Sequence, residues 1–123
     1  MKLKNNPLQN KSYDFSLLIL ELSRTLLRDQ KEYILSKQLL RSGTSVGANI
    51  IEANGAISKA DFSAKISIAY KECLESKYWL SILKDSKYIS VNQYHKLFEK
   101  ADEIGKILFS ILKTTRIENN FDN

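Results

Sequence analysis

Apolar residues recur along the chain at alternating steps of three and four, in four runs separated by short polar connections. Phe15, Leu18, Ile19, Leu22 and Leu26 form the first run, and Leu35, Leu39, Ser42, Val46, Asn49 and Ala53 keep the same spacing in the second. Phe62, Ile66, Ala69, Cys73, Ser76, Leu80 and Leu83 form the third, and Tyr94, Leu97, Ala101, Ile104, Leu108 and Ile111 the fourth. This period puts each run on one face of a helix. Helices are expected near residues 12–28, 32–54, 58–86 and 90–117. Such short connections force antiparallel neighbours, so the fold class is all-α, an antiparallel up-down-up-down four-helix bundle. Residues 1–11 are expected as a flexible basic N-terminal arm, 12–117 as the bundle domain and 118–123 as a disordered tail.

End signals refine these boundaries. Ser12 is placed to cap the first helix, with Asp14 in its first turn. Asp29 and Glu32 have the spacing of a capping box for the second, and Gly55 follows Asn54 as a left-handed cap at its end. Ser58 with Asp61 opens the third helix, and Ile57 is spaced to staple onto Phe62. Ser90 with Gln93, and Ile89 with Tyr94, repeat that arrangement for the fourth.

The second helix carries the least generic sequence, because Gly43, Gly47, Ser42, Thr44 and Ser45 crowd its middle. Each interior glycine costs about 1 kcal/mol relative to alanine, which suggests that another backbone approaches closely there. No Lys-Ser/Thr pair follows the glycines, so they form no phosphate-cradling loop. Beside the apolar stripe, Gln38, Ser42, Ser45, Asn49 and Glu52 make a polar ladder. It reads either as a solvated flank or as a half-buried seam pairing with another helix or subunit, where a buried Glu52 would need a partner.

The third helix carries a second stripe, Ile68, Glu72, Glu75, Trp79 and Ile82, about 100° around from the first, with Leu74 and Tyr78 further on. A monomeric bundle buries one stripe per helix. The surplus stripe therefore reads as a subunit or partner interface, or else as part of a wide monomer core.

Charge adds a further feature. The formal net charge is +5, and residues 1–48 hold eight Lys/Arg against four Asp/Glu, whereas residues 49–123 hold eleven against ten. Folding the first two helices into a hairpin gathers Arg24, Arg28, Lys31, Lys37 and Arg41 into a candidate basic patch for nucleic acid, RNA or DNA. The bland alternative is an ordinary solvated face with Asp29 and Glu32 as local partners. No zinc finger, aromatic RNP pattern or short recognition helix occurs, so binding would rest on charge and shape, with Lys and Arg on phosphates.

Catalysis finds little support. The one histidine, His95, points away from its helix's stripe and has no metal-binding or triad companion. Glu52, Glu72 and Glu75 could meet between helices, but a carboxylate metal site without a nearby histidine departs from the di-metal bundle pattern. The single cysteine, Cys73, lies on an apolar stripe as a core filler. No enzyme, metal or cofactor is expected. No apolar run approaches the ~20 residues of a membrane span, and the basic start lacks a signal-peptide core. The expected location is the cytoplasm, with no membrane partner.

Three segments together carry a family resemblance: Gln38-Leu39-Leu40-Arg41-Ser42, then Ser45 to Ala53 (SVGANIIEA), then Ser58-Lys59-Ala60-Asp61-Phe62. With Tyr78-Trp79-Leu80 they make Tyr13 to Thr115 resemble the bacterial 23S ribosomal RNA intervening-sequence proteins. One departure is Gly47, where many members carry proline, which implies a straighter helix. The resemblance implies a small cytoplasmic four-helix bundle that forms a homo-oligomeric ring, commonly a pentamer. A related branch serves as the accessory protein of diversity-generating retroelements, binding nucleic acid and a reverse transcriptase. No catalytic residues transfer. Two functions follow as expectations: an oligomeric nucleic-acid-binding scaffold, or a protein-interaction module for a partner such as a reverse transcriptase. Salt separates them, because phosphate binding weakens steeply with it.

Overall fold

The computed structural model describes residues 1–121, with side chains through Arg116. Four helices form: α1 Pro7–Gln30, α2 Ile34–Asn54, α3 Lys59–Asp85 and α4 Val91–Phe121. Each packs against the next, and α1 closes the square against α4, the least intimate of the four seams. The expected all-α four-helix bundle is therefore the fold.

The first helix starts earlier than its apolar stripe suggests. Asn6 caps it, Oδ1 accepting from the Gln9 amide at 3.2 Å, and Pro7 takes the first helical position, where its missing N–H costs nothing. The segment expected as an arm over residues 1–11 is thus helical from Pro7. Residues before it are fastened to the helix: Asn10 exchanges two hydrogen bonds with Leu3, at 2.8 and 2.7 Å, and Lys2 meets Asp14 at 2.6 Å. Ser12, the expected cap, is instead wholly buried against α2 and donates to the Gln9 carbonyl. At the other terminus α4 continues through Phe121, so residues 118–121 of the expected tail are helical, while 122–123 lie outside the described residues.

Two connections also differ from expectation. Asp29 belongs to α1, and Glu32 alone caps α2. Its carboxylate, on a residue only 8% exposed, accepts from the amides of Ile34 and Leu35 at 2.8–3.0 Å. This satisfies otherwise orphaned donors and sets a negative charge on the helix N-terminus. Gly55 ends α2 at φ −100°, outside the left-handed region. Ser58 caps α3 as expected, accepting from the Asp61 amide at 3.0 Å, but Ile57 is 94% exposed and staples nothing. Asp61 accepts from the Ile57 amide instead, which turns that side chain outward. Ser90 and Gln93 complete their reciprocal box at 3.0 and 3.1 Å, and Ile89 is buried.

The core follows the four stripes, with Phe15, Ile19, Leu26, Leu39, Val46, Ile66, Leu80 and Leu108 almost fully buried. α2 buries a wider arc than one stripe, because it is pressed from both sides; Gly43, Gly47 and Ile50 are buried, whereas Asn49 is half-buried. A Cβ on Gly43 would stand 2.9 Å from Ile19 Cγ2, and one on Gly47 would stand 3.3 Å from Ser12 Oγ. The glycines are therefore packing residues, set against α1.

Opposite outcomes are expected at two glycines. Gly43→Ala should destabilise the fold by about 1–2 kcal/mol, since overpacking against the fully buried, β-branched Ile19 outweighs the gain in helix propensity. Gly55→Ala should be neutral or stabilising by up to about 1 kcal/mol, because its φ is ordinary and the nearest atom to an added Cβ is 3.7 Å away. Urea melts of the two variants check both signs.

Candidate functional site

The five cations of the candidate patch separate into two groups. Ser23 Oγ donates to the Ser36 carbonyl at 3.4 Å across the α1–α2 seam. That contact brings the next residue of each helix, Arg24 and Lys37, to one height along the hairpin. Both are exposed and make no ion pair among the described residues. Arg28 is also exposed and pairs with its neighbour Asp29, Nε to Oδ1 at 2.8 Å, a hydrogen bond that holds the Asp29 carboxyl below its ordinary range. Lys31 stands at the end of α1, solvent-facing.

Arg41 faces the other way. Its guanidinium crosses to α3, with Nη1 3.2 Å from Glu72 and Nη2 2.5 Å from Glu75. Glu75 Oε1 also accepts from Trp79 Nε1 at 3.0 Å. The Arg41 hydrogen bond, helped by the Trp79 N–H, lowers the Glu75 pKa from its ordinary 4.5. Sequence reasoning put Arg41 with α1's arginines because it lies one turn beyond Lys37. On the helix, however, it lies toward α3, and the acidic pair at i and i+3 on α3 was the signal that could have located it.

The polar ladder resolves along the same α2–α3 seam. Ser42 is fully buried and accepts from Ser76 Oγ at 3.0 Å, the one ladder residue that crosses to another helix through a buried contact. Ser45 and Asn49 bond back to carbonyls of their own helix, at 2.6 and 2.8 Å, and Gln38 is half-buried. Glu52 is exposed and lies 3.4 Å from Lys65, so it needs no buried partner. The three carboxylates considered for a metal thus meet cations, and no group of three His, Cys, Asp or Glu among the described residues could hold a metal ion.

The second stripe of α3 is mixed. Ile68 is exposed, as are Leu74 and Tyr78 beside it, while Trp79 packs partly into the core and Ile82 is half-buried. Glu72 and Glu75 sit between them, both paired with Arg41, whose single charge offsets one of the two. Further round, Tyr70 and Phe109 bring their rings to 5.8 Å, and with Leu74 they line a shallow α3–α4 groove. Lys77 and Asp102 pair at 2.7 Å in the same groove, Lys77 Nζ standing 4.8 Å from the Phe98 ring centre. Cys73 lies beneath, its thiol donating to the Ala101 carbonyl; burial pushes its pKa up to about 11, which leaves it without a reactive thiolate. No helix among the described residues is long and apolar enough to cross a membrane.

Glu75 gives the seam a pH signature. Its folded pKa is depressed, so the stability it contributes is complete above about pH 4.5 and is lost as pH falls through the lower folded value. Glu75→Gln should cost about 0.5–1 kcal/mol at pH 7, as expected of a half-exposed pair, and progressively less as pH falls from 4.5 toward about 2. Denaturant melts followed by the fluorescence of Trp79, the only tryptophan, across that pH range check this expectation.

A family model described as 23S rRNA-intervening sequence protein matches residues 4–110. Among solved structures, a protein of unknown function from the S23 ribosomal protein family of Bacteroides thetaiotaomicron is 47% identical, over 86% of this chain and 98% of that one, with a TM-score of 0.85. No curated protein matches. A match over most of the bundle, including the α2 segment with its packing glycines, shows that the chain belongs to the 23S rRNA-intervening sequence protein family.

Proposed function

We propose that the protein is a non-catalytic, cytoplasmic scaffold that binds RNA or DNA by charge and shape through the outer side of the α1–α2 hairpin. Arg24, Arg28, Lys31 and Lys37 would contact phosphates, and Arg41 would serve the α2–α3 seam. The observation that carries the reading is the unpaired state of Arg24 and Lys37 at one height on neighbouring helices, on a chain of net charge +5. Of the nearby carboxylates, Glu32 is turned into the α2 N-terminus, Asp29 pairs with Arg28, and Glu21, one turn before Arg24, is exposed and forms no ion pair with it. Such cations attract a polyanion without reading its sequence.

The scaffold is further proposed to be a homo-oligomer assembled through the α3 band around Ile68, Trp79 and Ile82, with a pentameric ring suggested by the family resemblance alone. Repeating a weak basic face around a ring raises avidity with no new contact. A second reading, a module that docks another polypeptide such as a reverse transcriptase, is favoured by the exposed Leu74, Tyr78 and Phe109 beside the α3–α4 groove.

Fluorescence anisotropy of a structured RNA over a range of salt concentrations tests the scaffold. Binding should fall with salt at a log-log slope of several phosphates, and Arg24→Glu/Lys37→Glu should weaken it about tenfold or more and reduce the slope by about two. Arg41→Gln should leave the slope unchanged. Absence of binding by the wild type at low salt would overturn the nucleic-acid reading and favour the polypeptide partner.

A further inference from the structure

The α1–α2 and α3–α4 turns lie side by side at one end of the bundle, joined where Gln30 Nε2 donates to the Tyr88 carbonyl at 2.7 Å. Each turn follows its helix with a lysine in the left-handed region, Lys31 at φ 53° and Lys87 at φ 67°. A side chain is strained there, and glycine is the usual occupant of that position after a helix. Both lysines are exposed and neither makes an ion pair among the described residues. Tyr33, 59% exposed, lies two residues beyond Lys31. Two lysines kept where glycine would relieve the backbone indicate that the ammonium groups, not the turns, are what these positions supply.

Charge and shape narrow the occupant. Of the carboxylates at this end, Glu32 is directed into α2, Asp29 pairs with Arg28, and Asp85 lies 3.5 Å from Lys84. Lys87 therefore faces solvent as a free cation, and Lys31, although its charge adds to the Arg28 hydrogen bond in keeping Asp29 ionised, makes no ion pair among the described residues. Cations alone would suit any polyanion, but the exposed phenol ring of Tyr33, in the same turn as Lys31, suits a base, and bases offer their faces only where a strand is unpaired. The geometry points to this end of the bundle as a docking site for single-stranded nucleic acid, with Lys31 and Lys87 on phosphates and a base stacked on Tyr33. The inference rests on the nucleic-acid reading above and gives it a working end and a strand class. Lys87 joins Lys31 and Tyr33 only because the fold brings the two turns together.

Anisotropy with a single strand of about 12 nucleotides and with the same sequence as a duplex tests it, on the wild type, Lys31→Gly/Lys87→Gly and Tyr33→Ser. The wild type should prefer the single strand. The double glycine variant should bind it about tenfold more weakly while melting at or above the wild-type temperature, since glycine accepts both φ values; loss of binding cannot then be loss of fold. Tyr33→Ser should weaken single-strand binding about fivefold or more and leave the duplex unaffected. If both variants bind the single strand as the wild type does while Arg24→Glu/Lys37→Glu fails to, the end site is overturned and the hairpin side stands. If the wild type binds neither nucleic acid at low salt, both readings are overturned, and wild-type binding to anionic lipid vesicles would then assign the lysines to a membrane surface.

Discussion

The close approach of α1 to α2 is the constraint on which the other features depend. Gly43 admits Ile19 and Gly47 admits Ser12, so the two helices meet with almost no side-chain spacer between them. Small polar residues fill what remains: Ser12, Ser23 and Ser36 are buried on that seam, donating respectively to backbone carbonyls of their own helix, of the facing helix and of Glu32 in the connection. With this flank of α2 committed to α1, its opposite flank falls to α3. Ser42 and Arg41, one residue apart, then have different fates, the first buried against Ser76 and the second at the rim with Glu72 and Glu75.

Charge divides along the same line. On the α2–α3 side, each carboxylate meets a cation, and the pairing orients more than it stabilises, because half-exposed ion pairs contribute only about 0–1 kcal/mol. The Glu75 carboxylate links the guanidinium of Arg41 to the indole of Trp79, fixing the aromatic ring between core and solvent. On the outer side of the α1–α2 hairpin Arg24 and Lys37 lack such partners among the described residues, while Arg28 pairs only with its neighbour Asp29. A similar division separates α4, where Asp102 holds Lys77 and Lys106 and Glu103 pairs with Lys11 of α1. Arg24 and Lys37 of the α1–α2 hairpin are thus presented to solvent without an ion pair among the described residues.

Belonging to the 23S rRNA-intervening sequence family accounts for the bundle and for the glycine-rich α2 segment, and the similar structure from Bacteroides thetaiotaomicron has the same fold with no assigned function. Function has to be argued from the surface. There the physical contrast is between unpaired cations, which suit phosphates, and the exposed apolar residues of α3 and α4, which suit protein.

How much was legible in the sequence depends on the range of the interaction. The four stripes, the antiparallel order, the Ser58 and Ser90 caps and the packing role of Gly43 and Gly47 followed from residues within one or two turns of each other, where helical period and capping chemistry are decisive. The first boundary was misplaced because Gln9 and Ser12, polar residues, are buried by α2, which no local pattern signals. Ile57 was misjudged because Asp61 draws its amide, and Gly55 because its helix ends without a left-handed turn. Arg41 could be assigned to a flank only once α3 stood beside it. Local sequence determined which helices form and which face of each is apolar; only the tertiary structure decided which cations are neutralised, because a salt bridge needs both partners in place across a seam.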